Sequence, residues 1–357
     1  MKNCCGMIYG DVEHYIDHMA PLCALLNIPL VTNELRIRDI ISKFYPAVTV
    51  FYWDYLNFPW QLVKNFDVVF YCSLRGDFKS EFQLQQDILQ KEVKTIWCPH
   101  GNSDKGRHQY FMEALQEEIA VLLYGRKMFD YIIDKGVSPK NFHFLGNYRY
   151  YYYLQCKSFY DGQIKEILGE KKKTTILYAP TWHDCENSCS FNEVKSYLLN
   201  HVPHDMRLIV KLHPNTFSQY WLETEQLLEE YKNNNDIVFL KDFPCIYPLL
   251  DYVDVYLGDM SSVGYDFLIF NRPMFFLNKN LRNKNQDLGL YLYSCGEEIL
   301  PTRYERIYEI IRTYLEKKRK KHVAFQKKTY EYTFGSFWNI KKFQDDILQL
   351  VDKIVSS

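Results

Sequence analysis

Short apolar β-type runs alternate with helical patterns along the whole chain, and this alternation limits the fold more than any other feature. In the first half, the β-type runs occupy residues 48–52, 68–71, 95–97 and 142–145. In the second half, they occupy residues 175–178, 207–211, 237–240, 254–257 and 274–276. Strands that alternate with helices predict βαβ units and parallel sheets. We therefore predict an α/β fold.

The chain of 357 residues is long enough for two domains of ordinary size. A charged, helix-prone segment at residues 161–173 separates two α/β halves of similar length. We expect a Rossmann-like domain at residues 1–165, a second at residues 166–335, and a C-terminal helix at residues 336–357 that packs back across both. The parallel sheets of the two domains would face each other across a cleft.

The composition excludes several classes of protein. A net charge of −1 argues against nucleic acid as a partner, because binding driven by phosphates favours a basic domain. No apolar stretch approaches the roughly 20 residues of a membrane span. The first 17 residues lack the apolar core of a signal peptide, and the ten cysteines are scattered without a framework. We expect a cytoplasmic protein with reduced thiols.

Residues 253–273 carry the strongest chemical signal. A short apolar strand ends at Gly258 and Asp259, two hydroxyls follow at Ser261 and Ser262, and a helical pattern begins at Val263. This order brings backbone N–H groups, hydroxyls and the positive end of a helix dipole to one point, which is how proteins hold phosphate. Ser261 and Ser262 also suit an ordinary helix N-cap, so this segment alone leaves both interpretations open.

Two further β-type runs end in polar side chains. One ends shortly before Thr181, and the other is followed by Lys211 and His213. Ligands of open parallel sheets bind outside the carboxyl ends of the strands. We therefore predict that these residues converge with Ser261 and Ser262 on one anion. His213 alone is more simply a structural histidine bonded to a neighbouring carbonyl, but three coincident strand ends favour a ligand.

The corresponding strand end in the first half leads to His100 and Gly101. An imidazole that titrates near neutrality is the usual group for removing a proton from an attacking hydroxyl. We predict that His100 is a general base and that Gly101 lets a substrate approach closely. Asp104 alternatively caps the next helix, and Lys105 is alternatively a surface charge.

These motifs resemble the CDP-glycerol glycerophosphotransferase family, the teichoic-acid primases and polymerases with a GT-B glycosyltransferase fold. The family motif His-Gly-x-Pro-x-Lys is matched by His100, Gly101 and Lys105, with Ser103 at the position of the proline. The family's Ala-Pro-Thr-Trp is matched at residues 179–182, and its basic-x-His strand end at residues 211–213.

The most specific part of the resemblance is the family motif Asp-x-Ser-Ser-Val-x-x-Asp. It is matched by Asp259, Ser261, Ser262, Val263 and Asp266, and Arg272 and Pro273 follow as in the family. The family's Gly-x-Pro-Arg-x-Asp keeps Gly146 and Arg149 here but loses the proline and the aspartate. The resemblance spans residues 95–335, and it supports a nucleotide-diphosphate donor more firmly than glycerol phosphate as the transferred group.

The resemblance implies a GT-B transferase that moves a glycerophosphate or related polyol-phosphate group from a CDP-glycerol-like donor to a lipid-linked or polymeric hydroxyl. Its catalytic residues would be His100 and His213. The donor phosphates would be bound by Thr181, Lys211, His213, Asp259, Ser261, Ser262 and Asp266. The acceptor side would contain Gly101, Lys105 and Arg149. The alternatives are a nucleotide-sugar glycosyltransferase or epimerase of the same fold, and a nucleotide-binding protein without turnover.

Other patterns have simpler interpretations. We expect neither a cofactor nor a metal, because His183, Asp184, Cys185 and Cys189 lack the tighter spacing of a zinc site. We expect residues 148–153 to form a strand. A basic cluster closes the helix that begins near Arg303, and the resemblance adds a second interpretation, contact with the anionic inner face of the membrane at ~1 kcal/mol per cation. The cluster consists of Lys317, Lys318, Arg319, Lys320 and Lys321.

Overall fold

The chain divides into two compact units. The computed structural model describes residues 3–73, 75–102, 104–105, 112–184, 186–317, 321–336 and 338–356. Unit 1 comprises Met1–Asn102, Gln109–Cys156 and Tyr332–Ser357, and unit 2 comprises Ser103–His108 and Lys157–Glu331. The main division therefore precedes the expected boundary at residue 165, and the dipeptide Asp104-Lys105 belongs to unit 2 rather than to the N-terminal domain.

Unit 1 is built on a seven-stranded parallel sheet. Its strands are β1 (Cys4–Ile8), β2 (Leu30–Thr32), β3 (Val50–Tyr52), β4 (Val68–Tyr71), β5 (Lys94–Trp97), β6 (Ala120–Leu123) and β7 (Phe142–Phe144). Their order in the sheet is β3-β2-β1-β4-β5-β6-β7. The chain runs outward from β1 through β2 to β3 and then returns to β4 on the other side, so the strand order reverses between β1 and β4.

Helices connect the strands of unit 1 and bury apolar side chains at helical spacing. In the helix Leu35–Phe44, these side chains are Ile37, Ile41 and Phe44. The helices are α1 (Ile16–Leu26), α2 (Leu35–Phe44), α3 (Phe58–Asn65), α4 (Lys79–Leu89), α5 (Arg126–Asp134) and α6 (Tyr148–Gln155). Short 3-10 helices occupy Glu13–Tyr15, Arg75–Asp77 and Met112–Glu117.

Unit 2 is built on a six-stranded parallel sheet. Its strands are β8 (Thr174–Tyr178), β9 (Met206–Val210), β10 (Ile237–Phe239), β11 (Val255–Gly258), β12 (Met274–Leu277) and β13 (Glu297–Ile299). Their order is β10-β9-β8-β11-β12-β13, so the strand order reverses between β8 and β11. Side chains from several of these strands, Leu208, Val255 and Phe275 among them, are buried in one apolar cluster.

Helices follow most strands of unit 2. They are α7 (Lys157–Leu168), α8 (Phe191–Asn200), α9 (Pro214–Gln219), α10 (Trp221–Tyr231), α11 (Ile246–Tyr252), α12 (Val263–Phe267), α13 (Ile307–Glu316) and α14 (Val323–Phe334). Three 3-10 helices occupy Leu268–Phe270, Leu288–Cys295 and Pro301–Arg306. In the part of the chain that the structure describes, no helix is sufficiently long and apolar to cross a membrane.

The C-terminal helix α15 (Ile340–Val355) belongs to unit 1. It buries an apolar stripe of Phe343, Ile347, Val351 and Ile354, and Gln344 donates a hydrogen bond of 2.6 Å to the carbonyl of Leu25. The sequence predicts this helix correctly. Its assignment to one unit differs from the expectation that it packs across both domains.

The predicted fold class, α/β with two parallel Rossmann-like sheets, is confirmed. The predicted strand at residues 148–153 is wrong, because these residues form α6. Asn147 accepts a hydrogen bond of 3.3 Å from the backbone N–H of Tyr150 at the start of this helix. Tyr148 and Tyr152, four residues apart, are both buried, which is helical spacing.

Candidate functional site

The carboxyl ends of β8, β9 and β11 lie side by side in unit 2. Leu177 of β8 pairs with Ile209 of β9 on one side and with Tyr256 of β11 on the other. The three segments that the sequence singles out therefore emerge at one edge of the sheet. Because the strand order reverses between β8 and β11, this edge is also the topological switch point, where open α/β sheets bind ligands.

Asp259 joins the segments that follow β8 and β11. Its side chain is fully buried and accepts hydrogen bonds from the backbone N–H of Thr181 at 2.7 Å and of Ser190 at 2.9 Å. The Ser190 hydroxyl donates a third bond of 2.8 Å. Burial raises the pKa of Asp259 to about 6, and these hydrogen bonds oppose the rise. Asp259 is thus a clamp between these two segments, and its predicted contact with phosphate stays a prediction.

Lys105 lies at the same edge of the sheet. Its ammonium donates a hydrogen bond to the Thr181 hydroxyl and forms an ion pair of 2.8 Å with the Asp184 carboxylate. It also lies 5.7 Å from the centre of the Trp182 ring. Lys105 was expected on the acceptor side of the first domain, but these contacts place it among the predicted phosphate-binding residues of unit 2.

Asp104 and Lys105 together connect the two sides of the switch point. Asp104 is buried and accepts a hydrogen bond from the hydroxyl of Tyr265 in α12, which follows β11. Lys105 contacts the segment that follows β8. The alternative interpretation of Lys105 as a surface charge therefore does not fit the structure. The helix that Asp104 would alternatively cap lies outside the described residues.

Ser261 and Ser262 occupy the turn between β11 and α12. Ser261 is buried and Ser262 is half-buried. Ser262 stands at the N-cap position, yet its side chain makes no capping hydrogen bond. The ordinary N-cap interpretation therefore does not account for this hydroxyl.

His213 has a defined ring orientation at the end of the segment that follows β9. Its Nδ1 accepts a hydrogen bond of 3.1 Å from the backbone N–H of Asn215. The neutral imidazole therefore carries its proton on Nε2, which is a donor. The ring centre lies 6.2 Å from that of Trp182. This geometry suits a hydrogen bond from Nε2 to an anionic oxygen.

Two other predicted phosphate ligands have protein partners in the structure. The ammonium of Lys211 donates a hydrogen bond of 2.7 Å to the carbonyl of Phe243. The buried carboxylate of Asp266 accepts one of 2.9 Å from the hydroxyl of Tyr247. Both contacts connect neighbouring segments of unit 2, and the predicted contacts of Lys211 and Asp266 with phosphate stay predictions.

In unit 1, His100 follows β5 and is exposed. Protein atoms nevertheless crowd its ring, and the loss of hydration lowers the pKa of His100 to about 4. The imidazole is therefore neutral at pH 7, which is the form that a general base requires. Gly101 has a φ of 144°, a conformation that side chains rarely adopt. The backbone itself therefore favours glycine at this position.

Arg149 is buried in unit 1. Its Nε donates a hydrogen bond of 2.9 Å to the carbonyl of Asp17, and its guanidinium also binds the Asp17 carboxylate. Its predicted place on the acceptor side stays a prediction. Arg149 fixes the first turn of α1, where Asp17 lies.

The candidate metal ligands and the basic cluster are only partly covered by the described residues. The described residues contain no group of three or more His, Cys, Asp or Glu side chains that could hold a metal ion. Cys185 and residues 318–320 lie outside the described residues. Lys321 is exposed, and its ammonium lies 3.6 Å from a carboxylate oxygen of Glu297.

The chain has two parallel sheets, and polar residues lie together at the switch point of unit 2. This arrangement is that of a GT-B-like α/β protein. A family described as CDP-Glycerol:Poly(glycerophosphate) glycerophosphotransferase matches residues 141–337, more than half of the chain. The chain belongs to this family. The resemblance seen in the sequence motifs is thereby confirmed.

Two curated relatives are enzymes of teichoic acid synthesis. The teichoic acid glycerol-phosphate primase of Bacillus subtilis (strain 168) is 29% identical over 146 residues, which are 39% of this chain and 33% of the relative. The teichoic acid poly(glycerol phosphate) polymerase of Bacillus spizizenii is 31% identical over 163 residues, which are 42% of this chain and 38% of the relative. The matches thus cover little more than a third of each relative.

Solved structures share the fold along nearly the whole chain. The wall teichoic acid polymerase TagF superposes with a TM-score of 0.68 at 15% identity, over 99% of this chain and 89% of that chain. The S. aureus MnaA–UDP structure gives a TM-score of 0.64 at 13% identity, over 99% and 97%. At such identities the likeness establishes the fold alone.

Proposed function

We propose that the protein transfers a glycerophosphate or related polyol-phosphate group from a CDP-glycerol-like donor to a lipid-linked or polymeric hydroxyl, in the synthesis of a cell-envelope polymer. The observation that carries this proposal is the set of hydrogen-bond donors at the switch point of unit 2. Family membership supports it, as do the teichoic acid enzymes among the relatives. TagF, of the same fold, has been solved in the presence of CDPG.

The donor diphosphate would bind to Ser261, Ser262, His213, Thr181 and Lys105. The serine and threonine hydroxyls and the Nε2 of His213 can donate to its oxygens, and the Lys105 ammonium supplies positive charge. Lys105 joins Lys211 as a cation of this proposal. Each ammonium has three N–H donors, of which Lys211 gives one to the carbonyl of Phe243 and Lys105 gives two to Thr181 and Asp184. Positioned donors of this kind stabilise the charge that builds up on phosphoryl oxygens.

In the proposed reaction, His100 removes the proton from the acceptor hydroxyl. The hydroxyl oxygen forms a bond to the phosphorus that carries the polyol, and the bond from that phosphorus to the bridging oxygen breaks. Nucleoside monophosphate leaves with that electron pair. The neutral imidazole of His100 suits this role, and no further reactant is needed to balance the step.

Nucleotide release from the pure protein, incubated separately with CDP-glycerol, UDP-sugar and CMP-sugar donors, tests the class of reaction. We expect release from CDP-glycerol in the presence of a glycerol-phosphate oligomer. Release from UDP-sugar donors only, with none from CDP-glycerol, would establish the alternative of a nucleotide-sugar glycosyltransferase or epimerase. Tight nucleotide binding without any release would establish a non-catalytic binding protein.

Calorimetric titration with CDP-glycerol tests the donor residues. A hydrogen bond to a charged group contributes about 1.5 to 3 kcal/mol, so Ser262→Ala and His213→Ala should each weaken binding about ten- to a hundredfold. Ser196→Ala and His201→Ala are matched controls, because both residues are exposed elsewhere in unit 2. Unchanged affinity in both test variants would remove the phosphate-site assignment.

We further propose that the basic cluster at residues 317–321 brings the protein to the anionic inner face of the membrane. Lys317 and Lys321 are both exposed, as this role requires. Sedimentation with liposomes should show binding that needs anionic lipid and that fades with added salt, since the Debye length is ~10 Å at 0.1 M. Equal binding to neutral vesicles would leave the cluster as a solvated helix end.

A further inference from the structure

Unit 1 has its own topological switch point, between β1 and β4. Three segments reach it from the carboxyl ends of neighbouring strands: the 3-10 helix Glu13–Tyr15 after β1, Cys72 after β4, and His100 after β5. The position is the one where an open parallel sheet binds its ligand. The family resemblance covers none of the residues before 90, so it assigns nothing to the first of these segments.

Aromatic rings surround His100 at this point. The centre of its imidazole lies 4.9 Å from the ring centre of Tyr15 and 5.8 Å from that of His14. The backbone of Cys72 lies close to the His100 ring and favours its protonated form. A neutral imidazole holds its lone pair on one ring nitrogen, which is the basic position.

The segment at residues 10–15, which includes His14 and Tyr15, makes several hydrogen bonds to residues 33 and 36. The backbone N–H of Gly10 donates a hydrogen bond of 2.7 Å to the side-chain oxygen of Asn33. Arg36 of α2 binds Asp11 at 2.9 Å and Glu13 at 2.7 Å, which also neutralises the two carboxylates nearest to the rings in the sequence. The rings are therefore presented by a fixed turn.

His14 and Tyr15 are less buried than His18, which follows them on α1. His18, on α1, is buried, and its Nδ1 lies 2.5 Å from the hydroxyl of Tyr124, as expected of a core residue. His14 and Tyr15 are only half-buried and keep exposed surface. Aromatic walls with a few placed polar groups are the usual lining of a small-molecule site.

We propose that Tyr15 and His14 are the walls of the acceptor subsite and that His100 is its base, the ligand being the terminal polyol of a polyol-phosphate chain. The carbon backbone of the polyol lies against the two rings, and its terminal hydroxyl meets the basic nitrogen of His100. This inference rests on the proposed function. It assigns the acceptor to residues that the sequence motifs pass over.

Steady-state kinetics with a glycerol-phosphate oligomer as the acceptor test whether Tyr15 and His14 contact the acceptor. Loss of a buried aromatic contact at a binding site commonly costs tenfold or more in affinity, so Tyr15→Ala should raise the acceptor KM about tenfold. Tyr15→Phe keeps the ring and should stay within about threefold of the normal KM. His14→Ala should raise the acceptor KM by at least about threefold.

Donor binding is the readout that separates this inference from a folding defect. Calorimetry with CDP-glycerol should give the normal affinity for Tyr15→Ala and His14→Ala. Tyr55→Ala and His143→Ala are matched controls in unit 1, at exposed and half-buried positions. The ring of Tyr55 contacts that of Tyr9, and His143 lies on β7. Both controls should keep the normal acceptor KM.

Two results would overturn the inference. One is an unchanged acceptor KM in Tyr15→Ala and His14→Ala, and the other is a KM that rises as far in Tyr15→Phe as in Tyr15→Ala. A failure of the proposed function looks different, because the unaltered protein would then neither bind nor turn over CDP-glycerol. Direct titration of the oligomer into the donor-free protein still tests the subsite in that case, and equal affinity in Tyr15→Ala would refute it.

Discussion

The two switch points are built alike and lined differently. In unit 2 a buried carboxylate, Asp259, joins the segments after β8 and β11. The cation Lys105 contacts the segment after β8. In unit 1 the segments after β1, β4 and β5 bring together imidazoles and the phenol of Tyr15, with no formal charge at neutral pH. Charge suits a diphosphate donor, and a neutral base suits a hydroxyl acceptor.

One physical cause acts in opposite directions on the two sites. Burial penalises whichever form of a group is charged. It lowers the pKa of His14 to about 3 and that of His100 to about 4, so both histidines stay neutral. It raises the pKa of Asp259 to about 6, and three hydrogen bonds keep that carboxylate ionised at pH 7.

The largest effect should follow from His100→Ala. A general base contributes about 10² to 10⁴ in rate, so turnover should fall by a factor in that range while CDP-glycerol affinity remains normal. The pH–rate profile of the unaltered protein should lose activity only as the pH falls towards 4, because His100 stays unprotonated above its lowered pKa. Loss of donor affinity with normal turnover at saturation would show that His100 binds the donor. It would contradict the assignment of the acceptor base to unit 1.

Asp259→Ala should have the next largest effect, on stability. It removes the acceptor for the buried N–H groups of Thr181 and Ser190, and each unsatisfied buried donor costs about 1 to 3 kcal/mol. We expect a loss of about 3 kcal/mol in the free energy of unfolding, measured in urea, together with loss of donor binding. Asp205→Ala is the control, since the ion pair of Asp205 with Arg312 is at the surface. Equal losses of stability in Asp259→Ala and Asp205→Ala would refute the role of Asp259 in joining the two segments.

Lys105→Met should weaken donor binding by an intermediate amount. It removes a charge from the proposed diphosphate site and leaves the buried Asp184 carboxylate without this cation. Charge-assisted hydrogen bonds of about 1.5 to 3 kcal/mol imply about ten- to a hundredfold lower affinity for CDP-glycerol. Lys232→Met is the control, because Lys232 is an exposed partner of Glu229. A raised acceptor KM with normal donor affinity would instead return Lys105 to the acceptor side.

His14 in unit 1 and Asp259 in unit 2 should contribute pH slopes of stability with opposite signs. His14 has a lowered pKa, so its contribution is present above pH 6.5 and is lost as the pH falls towards 3. Asp259 has a raised pKa, so its contribution is present below pH 3.8 and is lost as the pH rises through about 6. Urea unfolding at pH 4.5 and 6.5 should show that His14→Gln and Asp259→Asn change the slope in opposite senses. A shift in the same sense for both would contradict the comparison.

The sequence predicts most of the parallel strands because their apolar runs are short and bounded by turn residues. It misses β1, whose Cys-Cys-Gly-Met-Ile is poor in β-branched residues, and β6, whose Ala-Val-Leu-Leu equally suits a helix. It also misses β2 and β13, which have only three residues each. It assigns α6 to a strand because five of its eight residues are tyrosines. Asn147, a favourable N-cap residue, was the signal that could have corrected this prediction.

Site residues are predictable where a motif places them at a strand end, and not where distant segments meet. Ser261 and His213 follow this rule. Asp184 and Ser190 do not, because their roles depend on contacts with Lys105 and Asp259, each about 70 or more residues away in the chain. Tyr15 and His14 are missed for the same reason, since their only distinction is the proximity of their rings to His100.

The smallest effect should follow from Tyr265→Phe, which tests whether Asp104 and Lys105 function with unit 2. The variant removes the hydroxyl that binds Asp104 and keeps the ring, so Lys105 loses only part of its support. A hydrogen bond of this kind contributes about 1 kcal/mol, so CDP-glycerol affinity should fall about three- to fivefold with a normal acceptor KM. Combined with Lys105→Met, the substitution should cost little more than Lys105→Met alone, because both act through the same ammonium. Fully additive losses would mean that Asp104 acts on the donor site independently of Lys105.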